Sequence, residues 1–307
     1  AIALILFYPL LTVYCPNIKF LCHYQAKKYL SSMKVLPFKI PKPTNAAILF
    51  QVDEGVLYNS LHNHEEVQIS FIKEGSGTLF AGDAVHSFVK GDIIVLGSHQ
   101  PHVFNSDGKK ALMHTVFFSL ASFGKTFLAL DEGKEIMDFY AFAKAGFKTS
   151  ITPDIAALFN YIATAKGIYK LGYFIDIITA LKVTKHSPLS EFIYERDISE
   201  KDGKRMSAIF DYTLSNYQQD ITLAQLAALT ALTPHGFCKY FKQRTNKTYF
   251  TFLTEVRISK ACTYLATDSD LTIGSIADLC GYKTLSHFNK SFKSIKGITP
   301  TVFRKAK

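Results

Sequence analysis

Short runs of alternating apolar and polar residues dominate the chain between about residues 48 and 119. Gln68–Ile72 and Thr78–Phe80 are examples, turn residues separate them, and Gly91-Asp92 precedes the apolar run Ile93–Leu96. Short strands at this spacing are typical of all-β barrels and sandwiches. The pattern predicts one β domain over residues 33–120.

From about residue 121 the apolar period lengthens to that of amphipathic helices. The predicted helices span Phe123–Leu130, Ile136–Ala145, Asp154–Ala165 and Tyr173–Val183. Thr152 and Pro153 supply a start signal for the third helix, as N-cap and first helical residue. The polar stretch Lys185–Arg205 has no apolar periodicity, which indicates a linker. We therefore interpret residues 121–203 as a helical linker and dimerisation region.

The last hundred residues contain a weak duplication. Thr222–Ala227 recurs as Thr272–Ala277, and Phe237–Lys242 recurs as Phe288–Lys293. The repeat predicts that one two-helix unit is built twice, in the helix-turn-helix arrangement. Residues 204–307 therefore form a predicted all-α domain, and the chain as a whole is predicted to be an α+β protein of two domains.

The turns of the two units differ at one position. Gly281 suits the turn of the second unit because glycine permits positive φ, whereas the first unit has Ala231 there. Ala227 and Ala277 supply the small residue that the helix packing needs.

The second helix of each unit has two distinct faces. Thr233 and Thr284 are the predicted N-caps, and paired phenylalanines four residues apart form the inward stripe. The opposite face carries hydrogen-bonding groups and ammonium groups, which suit base edges and phosphates in a major groove. The predicted DNA-binding residues are His235, Cys238, Lys239 and Lys242 in the first unit and Ser286, Asn289, Lys290 and Lys293 in the second.

Charge supports this interpretation. The chain has 35 basic and 25 acidic side chains, and residues 201–307 hold 16 of the basic and 7 of the acidic ones. A folded segment with this excess indicates a polyanionic partner, such as double-stranded DNA or an anionic membrane surface. An ordinary helical bundle with a solvated polar face is the alternative, and the duplication counts against it.

Composition excludes several other classes of protein. Apolar residues make up 48% of the chain, which excludes a disordered protein, and five scattered cysteines without a C-x-x-C pair indicate reduced thiols in the cytoplasm. Ala1–Cys15 is apolar but too short for a spanning helix, so we expect no membrane association. We interpret residues 1–32 as an N-terminal extension, either upstream translated sequence or an additional strand or helix.

Residues 204–307 resemble the DNA-binding domain of the AraC/XylS family of bacterial transcription regulators. The matching positions are Leu226-Ala227, Phe241-Lys242, Arg257 with Ala261, Ile276-Ala277, Gly281-Tyr282, Phe288 with Phe292-Lys293, Gly297-Ile298-Thr299-Pro300 and Phe303-Arg304. The resemblance implies a joining helix over about Tyr249–Leu265 that presents both recognition helices to successive major grooves. Asn246 replaces a glycine that is usual in the family, and asparagine tolerates the left-handed conformation.

The β domain resembles the cupin-type sensor domain that often precedes this DNA-binding domain. His62 and His64 form a His-x-His pair, Gln68 stands where metal-binding cupins carry Glu, and His102 matches the second cupin motif. We interpret these four residues as a metal-free pocket that hydrogen-bonds a small polar effector, and we predict no cofactor. A divalent metal at His62, His64 and His102 and histidines without a ligand are the alternatives.

These observations predict a sequence-specific transcription regulator that responds to a small-molecule effector. By resemblance we expect an activator, a homodimer and RNA polymerase as a partner. The alternative is a metal-dependent cupin enzyme, an isomerase or dioxygenase, with a helical appendage. The duplicated basic units count against an enzyme, as does the lack of nucleophile, P-loop and dinucleotide motifs.

Overall fold

The computed structural model describes residues 46–57, 61–106, 109–191, 193, 200–267 and 270–306. The predicted extension over residues 1–32 lies outside the described residues.

Nine strands form the N-terminal half of the described chain, and β2, β3 and β5 contain the three short runs from which strands were predicted. The strands are β1 Ile48–Gly55, β2 Val67–Glu74, β3 Ser76–Ala81, β4 Ala84–Val89, β5 Asp92–Leu96, β6 His102–Asn105, β7 Ala111–Phe118, β8 Phe147–Ser150 and β9 Ser187–Pro188.

The strands build two antiparallel sheets, with the orders β1-β7-β2-β5-β8-β9 and β4-β3-β6. Ile72 and Leu96 of the larger sheet and Leu79, Phe88 and Phe104 of the smaller one share a core. The prediction of a cupin-like, strand-rich domain is correct. The predicted barrel is not closed, because no described strand hydrogen-bonds one sheet to the other.

Four helices cover the outer face of the larger sheet. They are α1 Lys125–Leu128, α2 Asp131–Phe142, α3 Pro153–Thr164 and α4 Gly167–Lys182. Phe139, Phe159 and Phe174 from these helices pack on Ile69 and Phe118 of the sheet. Burial of these aromatic side chains provides most of the attachment, because each removes a large apolar area from water.

The helix pattern of residues 121–203 was predicted correctly in outline. Thr152 caps α3 as expected, with its Oγ1 accepting a hydrogen bond from the Ile155 N–H at 3.3 Å. The first helix is shorter than predicted. The region also supplies β8 and β9, which extend the larger sheet from β5 and which the sequence analysis did not predict.

Seven helices form the C-terminal half. They are α5 Glu200–Asn216, α6 Leu223–Thr230, α7 Pro234–Thr245, α8 Tyr249–Thr267, α9 Ile273–Leu279, α10 Leu285–Lys296 and α11 Pro300–Lys305. The all-α prediction for this half is correct, and α8 is the long joining helix. Helix α5 begins inside the stretch that we interpreted as a linker.

An apolar contact joins the two halves. Phe80 on β3 lies with its ring centroid 4.0 Å from that of Phe210 on α5 and 5.8 Å from that of Phe252 on α8. Leu61 and Val103 from the β domain join the same buried cluster. The smaller sheet therefore packs one face on the β core and the other on helices of the C-terminal half.

His86 on β4 lies close to this interface. Its Nε2 is 2.8 Å from the Leu189 carbonyl oxygen, so Nε2 carries the hydrogen and donates it. Burial lowers the pKa of His86 to about 4, and the nearby ammonium groups of Lys296, Lys148 and Lys247 lower it further. The imidazole is therefore neutral at pH 7.

This low pKa predicts a loss of stability in acid. Between the unfolded-state pKa of 6.5 and the folded value of about 4, the unfolded chain binds more protons, so the free energy of unfolding falls as the pH falls. In the variant His86→Gln we expect this slope to decrease by about 1.4 kcal/mol per pH unit within that window. Urea unfolding at a series of pH values measures it, and equal slopes in the two proteins would contradict the assignment.

Candidate nucleic-acid interface and effector site

Threonine side chains start the four helices of the two helix-turn-helix units. Thr222 forms a capping box with Gln225 at α6, and Thr272 caps α9 through the Ser275 N–H. Thr233 and Thr284 cap α7 and α10, as predicted. An N-cap of this kind stabilises a helix by about 1 kcal/mol.

The two turns have the same geometry despite their different residues. Ala231 has φ 52° and Gly281 has φ 77°, so both are left-handed. The next residue, Leu232 or Tyr282, donates its N–H to the carbonyl of Ala227 or Ala277 at 3.0 Å. This is the Schellman hydrogen bond that ends a helix. The alanine of the first unit thus does not alter the turn.

The far ends of α7 and α10 also match. Asn246 (φ 54°) and Gly297 (φ 73°) are left-handed, and each donates its N–H to the carbonyl four residues earlier at 2.9 Å. The replacement of glycine by Asn246 is therefore accommodated. Both recognition helices end in the same way.

The faces of the recognition helices are those that the sequence predicts. Phe237, Phe241, Phe288 and Phe292 are fully buried. The eight predicted DNA-binding residues are all exposed, with the same i, i+3, i+4, i+7 spacing in both helices, and they are His235, Cys238, Lys239, Lys242, Ser286, Asn289, Lys290 and Lys293. This spacing places four side chains on one face of each helix.

The lysines of these faces are available to an anion. Among the described residues, Lys239, Lys242, Lys290 and Lys293 form no ion pair. In contrast, Lys247 pairs with Glu255 at 2.8 Å on α8. Desolvation and competing carboxylates therefore do not oppose phosphate binding at the four lysines.

Three contacts fasten the two units to each other. Arg257 on α8 donates to the carbonyls of Tyr217 and Gln219 at 2.7 and 2.9 Å, and its guanidinium lies 5.7 Å from the ring centroid of Tyr282. A Cβ at Gly281 would lie 2.7 Å from the Gln218 carbonyl oxygen, so the second turn rests on the backbone before α6.

The third contact is an exposed ion pair, with Lys283 Nζ 2.6 Å from Asp220 Oδ2. An exposed pair of this kind contributes at most about 1 kcal/mol. The Arg257 side chain and the close approach of Gly281 to Gln218 therefore dominate the connection between the second turn and the segment before α6.

The predicted effector residues come together between the two sheets: His102 begins β6 of the smaller sheet, Gln68 lies on β2 of the larger one, and His62 and His64 lie just before β2. His62 and His102 pair as antiparallel neighbours, with backbone N–O distances of 3.1 and 2.9 Å. Their ring centroids are 4.2 Å apart, and the His64 ring lies 5.0 Å from that of His102. Each of the three imidazoles offers one nitrogen within 4.8 Å of the others.

Hydrogen bonds determine which nitrogen faces the cluster. His64 Nδ1 is 2.9 Å from the Glu66 carbonyl oxygen, and His102 Nδ1 is 2.8 Å from that of Gln100. Burial lowers the pKa of His64 to about 4 and that of His102 well below its usual range, so both rings are neutral. The single hydrogen of each ring is therefore on Nδ1, and Nε2 carries a lone pair.

The lone pair of His102 has no partner in the part of the chain that the structure describes. His102 Nε2 is a buried atom without a hydrogen bond to any of the residues that the structure describes. A buried polar atom in this state costs about 1–3 kcal/mol. The site therefore has unused capacity to bind a hydrogen-bond donor or a cation.

Gln68 continues the site into the sheet. Its Oε1 lies 3.1 Å from His64 Nε2, and its Nε2 donates to Ser70 Oγ at 2.8 Å. Ser70 Oγ is 3.1 Å from Thr115 Oγ1. A buried polar chain thus runs from the histidines across β2 to β7.

Sequence reasoning missed His99. This residue has φ 58°, and its N–H donates to the His64 carbonyl oxygen at 2.8 Å. Nothing in the sequence around Gly97 and Ser98 indicates this placement, because a backbone hydrogen bond to a distant loop creates it.

Comparison with known proteins agrees with the two halves. A helix-turn-helix domain model matches residues 226–306, and an AraC-like ligand binding domain model matches residues 49–122. The transcriptional activator RhaR of Mannheimia succiniciproducens is 23% identical over 80% of this chain and 86% of its own length. RafR of Pediococcus pentosaceus, a raffinose operon regulatory protein, is 24% identical over 86% of this chain and 95% of its own.

Solved structures give weaker likenesses. ToxT from Vibrio cholerae is 13% identical, covering 85% of this chain and 98% of that one, with a TM-score of 0.35. The DNA-binding domain of AdpA in complex with DNA is 22% identical over 32% of this chain and 87% of that one, with a TM-score of 0.30.

The two domains and their order define a DNA-binding transcription regulator with an N-terminal ligand-binding domain. The chain belongs to the AraC family of transcriptional regulators. Within the described part of the chain, none of the helices combines the length and the apolar character needed to cross a bilayer.

The turn geometry predicts opposite effects for two substitutions. Ala231→Gly should stabilise the protein by about 0.5–1 kcal/mol, because glycine adopts positive φ without steric cost. Gly281→Ala should destabilise it by roughly 2 kcal/mol or more, because the new Cβ meets strain and the Gln218 backbone. Urea unfolding of both variants measures the difference, and a destabilised Ala231→Gly protein would contradict the turn assignment.

Proposed function

We propose that this protein is a ligand-responsive transcription activator that binds double-stranded DNA in the cytoplasm, as a homodimer and without catalytic activity. The single observation that carries the proposal is the repeated exposed face on α7 and α10. Both faces present four side chains with one spacing, and the segment around them has a large excess of positive charge. Arrays of this kind suit the major groove.

The two kinds of side chain in this face support two roles. The ammonium groups of Lys239, Lys242 and Lys293 bind phosphates and supply affinity, which depends on salt. Asn289 offers both a donor and an acceptor at its amide, so it can discriminate between bases. Cys238 has a weakly polar thiol and contributes only an apolar contact.

The proposal of an activator rests on relatives, and RNA polymerase is the partner that activation would require. The proteins of Mannheimia succiniciproducens and of Rhodococcus that this chain matches are named transcriptional activators.

The proposal of a homodimer rests on exposed apolar residues of the helical region. Tyr161, Ile168 and Tyr169 are 55%, 73% and 74% exposed on α3 and α4.

The effector site has a direct route to the DNA-binding half. Leu61 and Val103 are the chain neighbours of His62 and His102, and side chains alternate along a strand. The histidines therefore face one side and these two apolar residues face the other, where they pack in the cluster with Phe210. A ligand that changes the separation of His62 and His102 therefore alters the packing of Leu61 and Val103 on Phe210, and with it the position of α5.

Sequencing of captured DNA tests the proposal. The full chain is mixed with sheared genomic DNA of its source, and the bound fragments are sequenced. We expect enrichment of a few sites that share a sequence, and affinity for them that falls about 10³-fold or more between 50 and 200 mM salt if roughly six phosphates are bound. Uniform recovery of the genome would contradict sequence-specific binding.

Two substitutions separate base reading from phosphate binding. Asn289→Ala should reduce the discrimination between specific and random DNA by about 1–3 kcal/mol. Lys293→Ala should weaken binding to both DNAs equally and reduce the salt slope by about 1. Fluorescence anisotropy with both duplexes measures these changes. Lys134→Ala, an exposed lysine on α2, is the control and should change neither. Equal weakening on both duplexes by Asn289→Ala would show that Asn289 binds phosphate.

A further inference from the structure

We propose that the effector site is a transition-metal site, in which His62, His64 and His102 bind one divalent ion such as Zn²⁺ and the Gln68 side-chain oxygen assists them. This inference rests on the proposed function, because it names the chemical class of the effector. It replaces the small polar molecule that the sequence suggested with an ion.

The size of the cluster favours an ion. The ring centroids of the three histidines lie 4.2–5.9 Å apart, and the nitrogens that they offer lie within 4.8 Å of one another. Two ligands bound tetrahedrally at about 2.0–2.1 Å to one Zn²⁺ are separated by roughly 3.4 Å. An ion therefore needs only a small contraction of the cluster, whereas an organic molecule between the rings would have to push them apart.

The orientation of the rings also suits a metal. Metal-binding imidazoles usually donate the other N–H to a carbonyl or carboxylate, which fixes the tautomer and the ring orientation. His64 and His102 do this through Nδ1, to the carbonyls of Glu66 and Gln100. Both therefore present Nε2 lone pairs, and that of His102 is buried without a partner among the described residues.

The contact between His64 and Gln68 supports the same conclusion. His64 has one hydrogen, on Nδ1, so Nε2 and the Gln68 Oε1 face each other as two acceptors at 3.1 Å. In this orientation of the amide, Gln68 Nε2 donates to Ser70 Oγ. A cation shared by the two acceptors would remove the repulsion between their lone pairs, and 3.1 Å is close to the spacing of adjacent ligands at about 2.1 Å from one ion.

The donor set selects the class of metal. Imidazole suits Zn, Cu, Fe and Ni, whereas Ca²⁺ and Mg²⁺ require oxygen ligands, mostly carboxylates. Three neutral imidazoles and one amide do not compensate the charge of the ion. Such a site is more consistent with an exchangeable effector than with a permanently bound cofactor. His62 is only partly buried, which provides a route for entry.

Metal titration of the full chain tests the inference. The protein is treated with a chelator, dialysed, and titrated with ZnCl₂ by calorimetry and with Co²⁺ by visible absorption. We expect one ion per chain and the absorption bands of a site with nitrogen ligands. His62→Ala and His102→Asn should each weaken binding at least tenfold, and Gln68→Glu should strengthen it because a carboxylate adds charge. His287→Ala on α10 is the matched control and should bind as the wild type does.

Circular dichroism melting shows whether each variant is folded. If His102→Asn does not fold, the test rests on His62→Ala, at a partly buried position, and on the tighter binding expected for Gln68→Glu. Absence of Zn²⁺ binding, or equal binding by wild type and His62→Ala, would overturn the metal site. A reversed Gln68 amide that donates to His64 would then explain the 3.1 Å contact.

A second measurement separates this inference from the proposed function. The affinity of the full chain for a captured DNA site is measured with and without Zn²⁺, in the wild type and in His62→Ala. A Zn²⁺-dependent change that His62→Ala abolishes supports both. Binding of Zn²⁺ at the histidines without any change in DNA affinity would overturn the effector role but not the site. Specific DNA binding without Zn²⁺ binding would overturn the metal inference and leave the regulator intact.

Discussion

The packing of Phe80 against Phe210 and Phe252 is the contact on which the arrangement of the two halves depends. It buries three aromatic rings between the smaller sheet and helices α5 and α8. Because protein interiors are close-packed, a displacement at one side of such a contact is transmitted rather than absorbed. The smaller sheet, which carries His102, is therefore in direct contact with the helical half although it belongs to the β domain.

Within the helical half, backbone geometry matters more than residue identity. Ala231 and Gly281 occupy the same left-handed conformation, and Asn246 and Gly297 do so as well. Hydrogen bonds to the preceding helix hold each pair in place. The two units have diverged in sequence while keeping one turn and one helix end, so the orientation of the exposed face relative to the buried phenylalanines is the same in both.

The sequence predicted the features that depend on local pattern. The stripes of Phe241 and Phe292 follow from spacing and the caps Thr233 and Thr284 from residue type, whereas the long helix α8 was implied by the family resemblance. Strand β8 was missed because four residues are too few to show a period, and its pairing with β5 is a tertiary contact. Two further features could not be predicted, namely that the sheets do not close into a barrel and where His99 lies. Both depend on backbone hydrogen bonds between residues that are far apart in sequence. The histidine cluster was predicted in composition, but its compactness and tautomers are visible only in the structure.

The close approach of Gly281 to Gln218, together with Arg257, has a consequence for the operator. These contacts tie the turn of the second unit to the segment that leads into the first, so they favour one fixed separation of the two recognition helices. One base pair inserted between the two recognised elements turns the second by about 35° around the helix axis, since B-DNA repeats every 10–10.5 base pairs. A fixed separation of the helices would therefore make the spacing of two recognised elements as important to binding as their sequence.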